Sequence, residues 1–285
     1  VATILSGKVV AEAIQREVAA EVAALRAERG VTPTLAVVLV GEDPASRVYV
    51  GRKTQACREV GIATRDHLFP RGLSEAALLA LVRELNAAHD VHGILVQLPL
   101  PKDVDETRVL DAIDPAKDAD GFHPENLGRL LIGRPVVVPG TPAGVMAILA
   151  HYGIGVSGRI AAVVGRSRIV GKPVAQLLLA QDATVIMAHS KTPDLAAVTR
   201  QADVLVVAAG RAHLIGAAHV KPGAVVVDVG VNRLPDGKLT GDVDFAAVAP
   251  IASAITPVPG GVGPTTVAML MRNTLRACLR LAAGR

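Results

Sequence analysis

Three observations predict an α/β fold arranged in two domains. Short runs rich in Val and Ile alternate with longer amphipathic ones, the pattern of parallel strands joined by crossover helices. The chain has 285 residues, enough for two cores of ordinary size. Pro and Gly cluster in "GRPVVVPGTPAGVMAILAHYGI", residues 133–154, which sets the expected boundary near Gly140.

The expected strands, in order, are "TLAVVLVG" (34–41), "HGILVQLPL" (92–100), "IAAVVG" (160–165), "TVIMAHS" (184–190), "VLVVAA" (204–209) and "AVVVDVG" (224–230). Their nearly unbroken apolarity implies cover on both faces. Between the first two, "SRVYVGRKTQACREVGI" (46–62) reads as a helix closed by Gly61, and residues 267–283 form a last amphipathic segment. No internal repeat or low-complexity tract interrupts this order.

Composition narrows the function. With 51% apolar and 20% charged residues the chain belongs among compact proteins, and with only 2% aromatics its cores must rest on Val, Leu, Ile and Ala. The net charge of +4 is scattered, without a basic block or aromatics to stack bases, so nucleic acid is not an expected partner. Apolar runs fall well short of the ~20 residues of a membrane span, and no basic flank precedes an apolar core at the start. A cytoplasmic protein without membrane attachment is expected. Cys57 and Cys278 stand in no metal or redox spacing.

The stretch "AAVVGRSRIVGKPVAQLLLA" (161–180) carries the first functional signal. Gly165 ends a strand and Gly171 opens a helix, so backbone amides at the helix start can meet a pyrophosphate. The usual middle glycine is Ser167, which leaves a ligand-free tight turn as a competing reading. The next strand ends "AHSKT", with Ser190 and Lys191 where an NAD site would carry an acid for the ribose 2′-hydroxyl. Together with Arg166 these groups suit a 2′-phosphate, and the expected cofactor is NADP. Ser167 is not read as a hydrolase nucleophile, because Ile169 occupies a glycine position of the nucleophile elbow.

Helical spacing places Tyr49, Lys53, Ala56 and Val60 on one stripe, with Cys57 beside it. Lys53 therefore falls amid an apolar face with no carboxylate on the stripe. Such burial disfavours the ammonium, which suits a proton carrier near neutrality, although a snorkelling stem is the ordinary alternative. Gln97, Pro99 and Pro101 lie at the carboxyl end of a strand, the edge where open α/β sheets bind ligands, and Gln97 is an expected partner for Lys53. The loop "PAKDADGFHPENLGRL" (115–130) concentrates Asp118, Asp120, His123, Glu125 and Asn126, but turn chemistry accounts for it and no metal is expected.

These motifs resemble one family, the bifunctional 5,10-methylenetetrahydrofolate dehydrogenase and 5,10-methenyltetrahydrofolate cyclohydrolase. The likeness runs through "GEDPASRVYVGRKTQACREVGI", "VHGILVQLPLP", "KDADGFHPENLGRL", "VVGRSRIVGKP", "HSKT", "KPGAVVVDVGVNR", "GDVDF" and "ITPVPGGVGPTT", nearly the whole chain. Three departures stand out: Gly140 occupies a usual Cys position, Ala119 a usual Val, and Thr265 a common Met.

The resemblance implies two α/β domains flanking a cleft, the second a Rossmann-type parallel-sheet NADP-binding domain. Residues 1–140 and 265–285 would form the folate-binding catalytic domain and 141–264 the cofactor domain. It implies catalytic roles for Lys53, Tyr49 and Gln97, and folate contacts from those three with Leu98, Pro99, Asp120, Gly260, Gly261 and Pro264. Gly165, Arg166, Ser167, Ile169, Val170, Ser190 and Val231 would hold the cofactor, with Val231 beside the nicotinamide. Tetrahydrofolate derivatives are the implied substrates and a homodimer the implied assembly. A same-fold enzyme limited to the dehydrogenase step, and a nucleotide-sensing module without catalysis, are the alternatives. The second leaves Tyr49, Lys53 and Asp120 without a task.

Overall fold

The computed structural model describes residues 1–283. The chain forms two compact units. A small-sheet unit contains Ala13–Val138 and the chain from Val267 onward; a large-sheet unit contains Val1–Glu12 and Pro139–Thr266.

In chain order, β1 (Thr3–Ile4) leads into α1 (Gly7–Arg29), and then β2 (Thr34–Val40), α2 (Pro44–Glu59), β3 (Ala63–Phe69), α3 (Glu75–Ala87) and β4 (Gly93–Val96) follow. Two short helices, α4 (Glu106–Asp111) and α5 (Pro124–Leu131), lead to α6 (Gly140–His151). Next come β5 (Ile160–Val164), α7 (Gly171–Leu179), β6 (Thr184–Ala188), α8 (Leu195–Thr199), β7 (Val204–Val207) and β8 (Val225–Asp228). The chain then forms β9 (Asn232–Arg233), β10 (Leu239–Thr240), α9 (Phe245–Val248), β11 (Ala254–Ile255) and α10 (Val262–Ala283).

The small-sheet unit is built on a parallel sheet of order β3-β2-β4. All seven residues of central β2 are buried, as an unbroken Val/Leu run requires. Ala36, Val38 and Val40 pack with Leu78, Val82 and Leu85 of α3 and with Ile94 and Val96 of β4. Each such Leu or Val contributes about 1.5–3 kcal/mol by leaving water. Strand β3 was not expected: "ATRDHLF" is too polar to show a strand pattern, and its place at the sheet edge is what tolerates the charge. Helix α2 begins as its sequence dictates, with Asp43 accepting from the Ser46 N–H at 2.8 Å.

The large-sheet unit carries a six-stranded parallel sheet of order β1-β11-β8-β7-β5-β6. Val226, Leu205, Val207, Ala162 and Ile255 lie at its core. Strands β9 and β10 form an antiparallel hairpin outside this sheet. The resemblance implies that the first dozen residues belong with the rest of 1–140 in the folate domain, and here the structure differs. Strand β1 pairs with β11, and the Gly7 N–H donates to the Gly260 carbonyl at 2.9 Å, which ties Val1–Glu12 to the large-sheet unit. A two-residue edge strand is too short to show a period. Among the described residues, no helix is long and apolar enough to cross a membrane.

Candidate active site

In the small-sheet unit, α2 and the end of β4 bring the expected residues together. Lys53 Nζ donates to Gln97 Oε1 at 3.0 Å. Gln97 is itself held on two sides: its Nε2 donates to the Leu98 carbonyl at 2.7 Å and its backbone N–H to the Val38 carbonyl at 2.8 Å. The amide oxygen is thereby aimed at the lysine. Leu98 joins Pro99 through a cis peptide directly after this contact.

One expectation about α2 needs correction. The buried stripe runs through Ser46, Val50, Thr54 and Cys57, not through Tyr49 and Lys53. Lys53 sits half-buried at the rim of that stripe, and Tyr49, one turn away, is 44% exposed. The error is one of phase: Ser46 and Thr54 are polar, but Thr54 satisfies its hydroxyl on the Val50 carbonyl at 3.0 Å and can turn inward. A tyrosine ring left open and an ammonium at the rim are better placed to meet a ligand than buried ones. Beneath them, burial pushes the Cys57 thiol up to about 12, so it is inert at neutral pH.

Asp120 completes the group. Burial, the larger cause, and then the nearby Asp118 charge push its carboxyl up to about 6, against the opposing influence of the Lys53 ammonium. No hydrogen bond from the described residues reaches its side chain. The helix pattern did not reveal this carboxylate near Lys53, because it arrives from a loop. That loop is set by its neighbours: Asp118 accepts from the N–H groups of Gly121 (2.9 Å) and His123 (2.8 Å) and from Asn126 Nδ2 (2.9 Å). Lys117 Nζ donates to the carbonyls of Leu85, Asn86 and Ala88 at 3.1, 2.7 and 2.7 Å, closing the C-terminal end of α3. Sequence reasoning missed Asp118 and Lys117 as organisers of the loop. Among the described residues, no group of three or more His, Cys, Asp or Glu could hold a metal ion.

In the large-sheet unit, the loops after β5, β6, β7 and β8 share the carboxyl edge of the sheet. Strand β5 lies between β6 and β7, so chain order reverses beside it, and this is where α/β sheets bind nucleotides. Gly165 has φ +123°, and a Cβ on it would stand 2.2 Å from the Ala208 carbonyl oxygen; one on Gly171 would stand 2.3 Å from the Gly165 carbonyl oxygen. Only glycine allows that approach. The hollow thus formed is bordered by exposed Arg166 and Ser167 and by half-buried Ile169 and Val170. Ser167 Oγ accepts from the N–H groups of Val170 (3.1 Å) and Gly171 (3.3 Å), so the serine itself caps the start of α7. The Gly165 N–H donates to the Ala188 carbonyl at 2.9 Å, at the strand end that leads into the turn bearing exposed Ser190 and Lys191. Val231, after β8, is 49% exposed. These donors and the glycine cradle fit a phosphorylated dinucleotide.

Gly260, Gly261 and Pro264 belong to this same unit. Gly260 has φ +103°, and a Cβ on Gly261 would stand 2.5 Å from the Pro257 carbonyl oxygen. Thr265 is fully buried, with its Oγ1 donating to the Val262 carbonyl at 2.7 Å and packed on Gly144, where an added Cβ would meet it at 2.4 Å. The substitution at this position is thus absorbed by internal packing.

A nucleotide-binding parallel sheet, together with a separate sheet bearing a lysine, an amide and an open carboxylate, defines a two-unit α/β dehydrogenase class. Comparison with known proteins gives the particular family. Residues 139–282 match the tetrahydrofolate dehydrogenase/cyclohydrolase NAD(P)-binding domain, and residues 5–120 match the catalytic domain of the same name. The bifunctional protein FolD of Geobacillus thermodenitrificans is 58% identical over 282 residues, covering 99% of both chains. The crystal structure of the bifunctional FolD of Campylobacter jejuni superposes with a TM-score of 0.96 at 46% identity, covering 98% of this chain and 99% of that one. The Trypanosoma brucei enzyme, complexed with NADP cofactor and inhibitor, gives 0.93 at 40% identity, covering 98% of both chains. The chain belongs to the tetrahydrofolate dehydrogenase/cyclohydrolase family.

Proposed function

We propose that this chain oxidises 5,10-methylenetetrahydrofolate to 5,10-methenyltetrahydrofolate with NADP+ and hydrolyses the product to 10-formyltetrahydrofolate. The observation that carries the reading is the 3.0 Å contact of Lys53 Nζ with Gln97 Oε1, near the Asp120 carboxylate, in a chain of this family.

When bound, the nicotinamide accepts a hydride. The carbon that gives it up lies between two folate nitrogens whose lone pairs stabilise the resulting cation, so the chain's residues have to position and to exclude water, with no base required. Gly165, Arg166, Ser167, Ile169, Val170 and Ser190 would hold the phosphates, with Arg166 and Ser190 toward the 2′-phosphate and Val231 toward the nicotinamide. Leu98 and Pro99 would border the folate.

Hydrolysis does need protons to move. Lys53, acting as the free amine, takes one from the attacking water as its oxygen bonds to the methenyl carbon, and the ammonium so formed returns it to the departing nitrogen as the carbon–nitrogen bond breaks; the second water proton leaves to solvent, and Gln97 holds the amine in line for both transfers. Tyr49, open on the same helix, stacks on the folate. Asp120 receives the 2-amino group and ring N–H of the pterin in a paired hydrogen bond, which supplies the donors its carboxylate lacks. The active form is a homodimer in the cytoplasm, which sedimentation and fractionation would check.

The test is one assay: methylenetetrahydrofolate with NADP+ or NAD+, recording nicotinamide reduction and decay of the methenyl product. Both signals, with NADP+ preferred, support the reading. Reduction without decay leaves only the dehydrogenase, and neither signal removes the enzyme. Arg166→Ala should weaken NADP+ by about tenfold, the scale of one charge-assisted phosphate contact, and leave NAD+ nearly unchanged.

A further inference from the structure

Two buried carboxylates in the large-sheet unit have no task in this reaction, yet they govern the loops at the carboxyl edge of the sheet. Asp242 is fully buried, and all four of its acceptor positions are filled. Oδ2 accepts from the N–H groups of Ala209 (2.6 Å) and Gly210 (2.9 Å), and Oδ1 from the Arg211 N–H (2.8 Å) and Asn232 Nδ2 (2.9 Å). Three successive backbone donors after β7 thus close on one side chain. Asp228, also buried, accepts from Gly230 N–H (2.9 Å) and Asp242 N–H (3.1 Å) on Oδ1 and from Val243 N–H (2.9 Å) on Oδ2. Its own N–H donates to Thr256 Oγ1 at 2.7 Å.

Two glycines admit this arrangement. A Cβ on Gly241 would stand 1.8 Å from Asp228 Oδ2, and one on Gly230 would stand 2.2 Å from the Asp242 carboxyl carbon. Neither glycine has positive φ. They are required by close approach of backbone to carboxylate, not by conformation.

Val231 stands between the two anchors. Gly230 before it is tied to Asp228, and Asn232 after it is tied to Asp242, so the exposed Val231 side chain projects from a strap fixed at both sides. We infer that Asp242, itself fixed by Asp228, is a positioning residue for the hydride-accepting end of the dinucleotide, setting the loop after β7 and the strap bearing Val231 in register. The inference rests on the proposed reading of Val231 and of the cofactor. Asp242 touches no reacting atom; it acts through backbone donors that it holds in place. An amide there would keep one acceptor oxygen and turn an NH2 toward two N–H donors, loosening the strap without emptying the space.

The experiment uses the full chain and two variants, Asp242→Asn and Asn232→Ala. Dehydrogenase activity is read with methylenetetrahydrofolate and NADP+, and cyclohydrolase activity with supplied methenyltetrahydrofolate and no nucleotide. The expected result is a fall in dehydrogenase kcat/KM of about 100-fold for Asp242→Asn and roughly tenfold for Asn232→Ala, with kcat lowered as well as KM for NADP+ raised. Hydrolysis of supplied methenyltetrahydrofolate should be unchanged in both. A parallel loss of the two activities would assign Asp242 to folding alone and overturn the inference, as would undiminished dehydrogenase turnover in Asn232→Ala. If Asp242→Asn does not fold, Asn232→Ala decides. A wild-type chain that never reduces nicotinamide overturns the proposed function, and the inference with it.

Discussion

Asp120 in the small-sheet unit and Asp228 in the large-sheet unit are both pushed up to about 6, with burial the largest cause in each. Their surroundings are opposite. Asp228 accepts three backbone N–H groups, all of which favour its charged form. Asp120 has charges near it, Lys53 and Asp118, but no hydrogen bond from the described residues. A raised value therefore has two meanings here. In Asp228 it is the residual cost of a carboxylate enclosed by the structure it organises. In Asp120 it marks a carboxylate held out of water with its acceptors open, the condition of a group awaiting a ligand's donors.

The largest expected effect tests whether the open group is chemical at all. Lys53→Met removes the donor to Gln97 and the cation beside Asp120 while keeping a stem of similar length. Cyclohydrolase turnover should fall by about 10²–10⁴-fold, the range of a general acid–base group, with the fold intact by circular dichroism. Undiminished hydrolysis would show the small-sheet cluster to be a binding surface only, and the contrast with Asp228 would lose its meaning.

Exchanging each carboxylate for its amide should then separate the two. Asp120→Asn retains the shape but turns a donor toward the pterin, and the folate KM should rise by roughly 10- to 100-fold, equivalent to a charged hydrogen-bond pair. Asp228→Asn should leave the folate KM unchanged and lower stability by about 1–3 kcal/mol, since one backbone N–H is left facing an amide N–H2. Chemical denaturation of the two variants side by side measures the difference. Equal destabilisation would mean that Asp120 is structural too.

How much of this was visible in the sequence follows the same division. The six apolar strands, the glycine turn and the Lys53–Gln97 pair could be read, because each depends on local pattern or on one strand end meeting one helix. Strand β3 could not, since an edge strand tolerates Arg65, Asp66 and His67 and loses its period. Nor could the phase of α2, where Ser46 and Thr54 turn inward because local hydrogen bonds satisfy them. The clasp of Asp228 and Asp242 was the least legible part. "DVGVNR" and "GDVDF" stand out as motifs, but only the pairing of β8 with its neighbours brings the Asp228 carboxylate onto the backbone N–H of Asp242, 14 positions further on. The spacing of Gly230 two residues after Asp228, and Gly241 just before Asp242, was the available signal.

The smallest expected effect is the pH dependence of stability. Folded Asp120 holds its proton up to about 6, whereas the ordinary value is 3.8. Between these limits the folded state binds more protons than the unfolded one, so this group's contribution favours folding at the acid end and is lost as pH rises through the folded value. Above about 6 it is a constant penalty. Asp120→Asn should remove that penalty and stabilise the chain at pH 8 by on the order of 1–2 kcal/mol, with the gain shrinking toward pH 4. Urea midpoints of wild type and variant across pH 4 to 8 would measure it. A gain independent of pH would assign the effect to packing, and no gain would mean that water already satisfies the open carboxylate, which would erase its difference from Asp228.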